Sequence, residues 1–69
     1  MPLTMAKAGE AASIIRVGGK GEVKRHLENL GFVPGTPLTV VSVNNGNVIV
    51  NVKEGRVALS KEMANKIMI

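Results

Sequence analysis

Residues 38–52 read LTVVSVNNGNVIVNV, two runs dominated by β-branched side chains and joined by Asn45-Gly46. Both central positions of a type I′ turn need a positive φ, and an Asn-Gly pair between apolar runs is the strongest short-range hairpin signal a sequence offers. A two-residue turn there sets the register. It places Val43 opposite Val48, Val41 opposite Val50 and Thr39 opposite Val52.

Towards the C-terminus, Glu54-Gly55 can close a second hairpin, with Val57 opposite Val52 and Leu59 opposite Val50. The two turns are read independently. Both gather Val41, Val43, Val48, Val50, Val52, Val57 and Leu59 on one side of a three-stranded meander, and that agreement supports the reading. The other side carries Leu38, Val40, Ile49 and Ala58 among Ser42 and Asn51, so it is only half polar. Either the rest of the chain or a partner has to cover it. Ser60 is placed to cap a short helical turn through Met63, and Ile67 to Ile69 reads as a closing strand.

Towards the N-terminus, Val33-Pro34-Gly35-Thr36 suits a type II turn, since proline presets the first central position and glycine takes the positive φ at the second. From Gly21 to Leu30 the apolar period becomes helical, with Val23, Leu27 and Leu30 on one side. Glu22 lies in the first turn, where the helix dipole favours an anion. Gly31 supplies the left-handed residue that ends the helix, and Phe32 folds back onto Leu27. Gly9 to Val17 reads as a first strand whose Ile14 and Ile15 point to opposite faces, broken by Gly18, Gly19 and Gly21. Residues 1–8 read as a loosely held arm. The resulting fold is mainly β, a single domain over residues 1–69. It is a small five-stranded barrel with one inserted α-helix and a short C-terminal helical turn.

Composition narrows the chemistry. Hydrophobic residues are 45% and charged residues 20% of the 69, which is a folding composition and excludes disorder as the main reading. Zero cysteines remove disulfides, thiolate zinc sites, iron–sulfur clusters and thiol nucleophiles, and His26 is the single imidazole. No apolar run approaches the length of a membrane span and residues 1–10 carry no signal-peptide core, so a cytoplasmic protein is expected. The net charge of +4 suits an acidic partner or a membrane surface carrying anionic lipid, but Trp and Tyr are absent and Phe32 is the one aromatic. The stacking surface of a single-strand nucleic-acid binder is therefore missing.

The motifs that carry chemistry elsewhere are incomplete. Gly18-Gly19-Lys20-Gly21 leads into the helix, yet Lys20 is followed by Gly21 and Glu22 where a phosphate-binding loop needs Ser or Thr directly after Gly-Lys, so an ordinary turn is the reading. His26 and Glu22 stand one helical turn apart and are the candidate metal ligands. A metal needs more donors than these two, unless two molecules each contribute half of a site. Ser13, Ser42 and Ser60 share one possible base and no strained nucleophile turn, so no catalysis is expected. Lys20, Lys24 and Arg25, with Lys61 and Lys66, form a candidate basic patch.

Several of these segments together resemble the ferrous iron transport protein A (FeoA) family. They are Lys7-Ala8-Gly9-Glu10, Val17-Gly18-Gly19, Leu27 through Leu30-Gly31-Phe32, Pro34-Gly35, and Val57-Ala58-Leu59 followed by Glu62 and Ala64. The chain departs from the family pattern at Ser60, where a basic residue is common, and at Asn44 to Asn47, where Gly-Asp-Pro is common. The resemblance implies an SH3-like barrel and an accessory role in bacterial ferrous iron uptake. The protein would bind the cytosolic face of the membrane transporter FeoB, peripheral to the inner membrane, and would not itself be an enzyme. The metal it implies is Fe2+, with no cofactor following from the residues themselves and no nucleic-acid partner expected. The expected partner contacts are Lys24, Arg25 and His26 on the helix, with Leu38 and Val40 as apolar anchors. Exposed strand edges leave room for self-association. Two alternatives have the same shape, the SH3-like domain of a metal-dependent transcriptional regulator and a small nucleic-acid-binding barrel.

Overall fold

Asn45 (φ 53°) and Gly46 (φ 86°) both adopt the left-handed conformation, so the turn between the two valine-rich runs is type I′. The computed structural model describes every residue except 54. In chain order the elements are a 3₁₀ turn at Leu3–Met5, β1 (Ala11–Ser13), β2 (Arg16–Val17), α1 (Gly21–Asn29), β3 (Pro37–Asn44), β4 (Asn47–Val52), β5 (Gly55–Leu59), α2 (Lys61–Ala64) and β6 (Ile67–Met68). The fold is mainly β as expected. Among the described residues it has six strands rather than the expected five, because the first expected strand is divided into β1 and β2, and they form an antiparallel four-stranded sheet β1-β3-β4-β5 and a two-stranded sheet β2-β6.

Next to the turn the register follows the sequence reading, with Asn44 opposite Asn47 and Val43 opposite Val48. It then changes. Val40, rather than Val41, lies opposite Val50, and Asn51, rather than Val52, lies opposite Thr39, because a β-bulge intervenes between Val40 and Ser42. One extra residue reverses the facing of everything beyond it on that strand. Leu38 (3% exposed) and Val40 (0%) thus enter the core, while Val41 is only half-buried at the bulge. The expected half-polar side loses its two best apolar residues to the interior. A bulge also raises local twist and bends the strand, which helps a four-stranded sheet wrap around so small a core.

The turn expected at Glu54-Gly55 falls partly on Glu54, which lies outside the described residues. Its flanks are clear: Val52 faces Gly55, Val50 faces Val57 and Val48 faces Leu59. This is a slip of two residues from the expected pairing. Since side chains alternate with period two, the slip leaves Val57 and Leu59 on the expected face. Val48, Val50, Val52 and Leu59 are buried, and Val43 and Val57 pack partly buried against them.

The first strand is split. The Ile14 amide donates to the Thr36 carbonyl (3.0 Å), whereas the Ile15 amide donates to the Met68 carbonyl (2.7 Å). Consecutive residues thus bond to different sheets, and the chain turns the barrel corner between them. Ile14 is buried at 2% exposure and Ile15 projects outward at 69%.

Residues 1–8 are docked rather than loose. Leu3 and Ala6 are buried, Pro2 bridges to Met68, and the Ile69 amide donates to the Met1 carbonyl at 2.8 Å. Thr4 Oγ1 donates to Asn65 Oδ1 at 2.6 Å. In a core this small, one fully buried leucine is enough to hold an otherwise irregular segment.

The two helices end and begin as their sequences suggest. Gly31 (φ 102°) donates to the Glu28 carbonyl and Phe32 to the Leu27 carbonyl, both at 3.0 Å, which is the Schellman pattern. The type II turn follows, with Gly35 at φ 89° and the Thr36 amide on the Val33 carbonyl. Ser60 Oγ accepts from the Met63 amide (3.4 Å) and Asn47 Oδ1 from the Lys61 amide (3.1 Å), so α2 is capped from its own N-cap and from β4.

Candidate functional site

Helix α1 gives little of itself to the core. Leu27 is its one buried residue, so eight of its nine residues face solvent in whole or part. At about 100° per residue, with Leu27 pointing inward, Glu22, Arg25 and Asn29 form the outer crest. Lys24 and Glu28 lie on one flank, and Val23, His26 and Leu30 on the other. Lys24, Arg25 and His26 are all exposed, as a contact site requires. Being consecutive, they are spread around the helix, and a flat partner surface cannot engage all three at once. Arg25 is the one on the crest.

The other expected anchors are elsewhere. Leu38 and Val40 are core residues of β3 and offer no surface to a partner, a correction that follows from the bulge. Apolar exposure near α1 comes instead from Val23, 38% exposed. Periodicity alone places Val23 on the helix's inner side with Leu27, and a nine-residue helix anchored by one side chain leaves that flank open. The outward Ile15 was legible in the sequence as the opposite-facing neighbour of Ile14.

Gly18 to Gly21 serves packing. The Gly18 amide donates to the Lys66 carbonyl at 2.6 Å. Gly19 (φ 100°) lies where a Cβ would come 3.1 Å from Lys66 Cδ and 3.4 Å from Val23 Cγ1. The stem of Lys66 thus lies over the turn beside Val23. This brings Lys66 to the start of α1, near Lys20. Lys61, the remaining member of the expected basic patch, is held against Gly46 instead.

Glu22 and His26 are both exposed on α1 and make no hydrogen bond to each other. Among the described residues no third acidic or imidazole donor joins them. One chain therefore presents two donors, short of what holds a resident metal ion. Among the serines, Ser60 has its oxygen engaged in the α2 cap. Among the described residues no helix is long and apolar enough to cross a membrane.

The FeoA domain family matches residues 1–69. The chain belongs to the FeoA family. A relative from Methanocaldococcus jannaschii, described as an Fe(2+) transport protein A, is 31% identical over 68 residues, covering 99% of this chain and 83% of the relative. The structure matches that of an iron uptake regulatory protein, FeoA, with a TM-score of 0.91 at 23% identity, covering 99% of this chain and 92% of that one. It also matches Stenotrophomonas maltophilia FeoA complexed with zinc, an SH3 domain protein, with a TM-score of 0.83 at 24% identity over 99% and 87% of the two chains. A manganese-dependent transcriptional repressor shares the fold at a TM-score of 0.88 and 18% identity, but this chain spans 39% of its length. The architecture is therefore the SH3-like barrel of FeoA domains. The segments by which the sequence resembled the FeoA family, Leu30-Gly31-Phe32 and Pro34-Gly35, are here a helix cap and a turn. They report the fold rather than a reaction.

Proposed function

We propose that this FeoA-family chain is an accessory protein of ferrous iron uptake that binds the cytosolic part of a FeoB-type transporter through α1, and that it works by recognition rather than catalysis. Family membership over residues 1–69 supports the role in ferrous iron transport. The observation that supports α1 as the contact is its exposure, with a single side chain committed to the core. Arg25 on the crest and Lys24 on the flank supply positive charge for an acidic patch on the transporter, and Val23 adds an apolar contact. Iron is the transporter's cargo in this reading and need not touch the chain. Such a module changes a transporter only by binding some of its conformations more tightly than others. The manganese-dependent repressor shares the barrel, yet the family match and the 31% identical relative both favour transport over transcription.

The test is binding of the chain to the purified cytosolic domain of the transporter, measured by interferometry with and without charge reversal on α1. Wild-type binding that weakens as ionic strength rises and is lost with Arg25→Glu supports the reading. Affinity indifferent to reversal at both Arg25 and Lys24 removes α1 as the contact.

A further inference from the structure

In the sheet order β1-β3-β4-β5, β5 is an edge strand. Asn44 and Asn47 flank the two-residue turn as a hydrogen-bonded pair, and bonding direction alternates along a strand. The odd-numbered residues of β4 therefore direct their amides to β3, and Val48, Val50 and Val52 direct theirs to Leu59, Val57 and Gly55 of β5. The N–H and C=O groups of Arg56 and Ala58 point away from the sheet. Both residues are exposed, and among the described residues neither has a backbone partner on that side. Edges are commonly guarded by a charged side chain. Here that side chain is turned inward over the sheet, with Arg56 Nε donating to Asn51 Oδ1 of β4 at 3.5 Å.

We propose that β5 is the surface through which two copies of this chain associate, antiparallel about a two-fold axis at Val57. In that register Val57 faces its own counterpart, Arg56 faces the partner's Ala58, and Gly55 faces the partner's Leu59. The residues with free backbone groups become the hydrogen-bonded pairs, which exchange about four bonds across the axis. No like charges stand directly opposite, since each arginine meets an alanine. The two four-stranded sheets join into one continuous sheet. The other edge, β1, is shorter, Ala11–Ser13 against Gly55–Leu59. Pairing β5 with a neighbour's β1 would be heterologous and would build rings or open chains of many copies, whereas β5 with β5 closes at two. With few bonds and little apolar burial the dimer is weak, with a Kd on the order of 0.1–1 mM.

Sedimentation equilibrium of the full chain from about 10 µM to about 2 mM spans that range, with far-UV circular dichroism reporting the fold of each variant. A monomer–dimer equilibrium is expected. Ala58→Pro removes an outward N–H without touching the β4 ladder and weakens the dimer by at least about tenfold. Ala58→Glu, set against the partner's Arg56, tightens it about three- to tenfold at low salt, and Ala58→Lys weakens it similarly. The opposed pair of charge variants decides the matter if the proline variant fails to fold. A chain that stays monomeric with and without Ala58→Glu overturns the proposal, including the case in which the edge takes a strand from a different protein. So does a dimer indifferent to all three variants, or a ladder of higher oligomers.

Discussion

The Phe32 amide donates to the Leu27 carbonyl at 3.0 Å, and both side chains are fully buried, so one cap ties α1 to the barrel. Leu27→Ala should cost about 2–5 kcal/mol and Phe32→Ala about 3–5 kcal/mol, each leaving a cavity under the helix. Gly31→Ala should cost about 1–2 kcal/mol for the left-handed backbone alone, since a Cβ there meets nothing within 4 Å. Urea denaturation curves for the three variants check the order.

At Gly46 two costs combine. A Cβ there would stand 2.8 Å from Lys61 Cγ and Cδ, and the residue holds φ 86°. Gly46→Ala is expected to destabilise by about 1–3 kcal/mol. Adding Lys61→Ala removes the two 2.8 Å contacts and should return most of the steric share, with the Cβ of residue 61 still 3.2 Å away, leaving chiefly the backbone share of about 1 kcal/mol. A double-mutant cycle by thermal denaturation separates them, and strict additivity would mean that the lysine stem simply moves aside.

The bulge makes a prediction that reverses between two neighbours. Val40 is sealed in the core and Thr39 is exposed. Val40→Asp should cost more than about 4 kcal/mol and prevent folding, whereas Thr39→Asp should stay within about 0.5 kcal/mol. Circular dichroism and one-dimensional NMR of the two variants settle which face of β3 is inside. A regular ladder without the bulge requires the opposite result.

On α1, Arg25→Glu should leave stability within about 0.5 kcal/mol, because the side chain is on the solvent crest. Transporter binding should fall about tenfold or more, with a smaller loss for Lys24→Glu on the flank. Affinity measured across salt concentrations checks both, since a rim charge acts mainly through association rate and is screened.

Local chemistry was legible in the chain. Asn45-Gly46, Pro34-Gly35, Gly31 after Leu27, and Ser60 before α2 each act through the φ or the side-chain oxygen of a few neighbouring residues, so each could be placed without knowing the fold. The helix that forms the candidate contact was legible for the same reason, and so was the exposure of Lys24, Arg25 and His26.

Three features depended on tertiary structure. In Val40-Val41 either valine can be buried, so period-two reasoning cannot detect an extra residue between them. The bulge that chose Val40, and removed Leu38 and Val40 from the partner surface, arises from the bend a closing sheet requires. Leu3 and Ala6 belong to a segment with no period, and only packing against distant elements holds them. The free edge at Arg56 and Ala58 is likewise invisible in sequence, because which backbone groups remain unpaired depends on which strands are neighbours, and that is decided only when the sheet assembles.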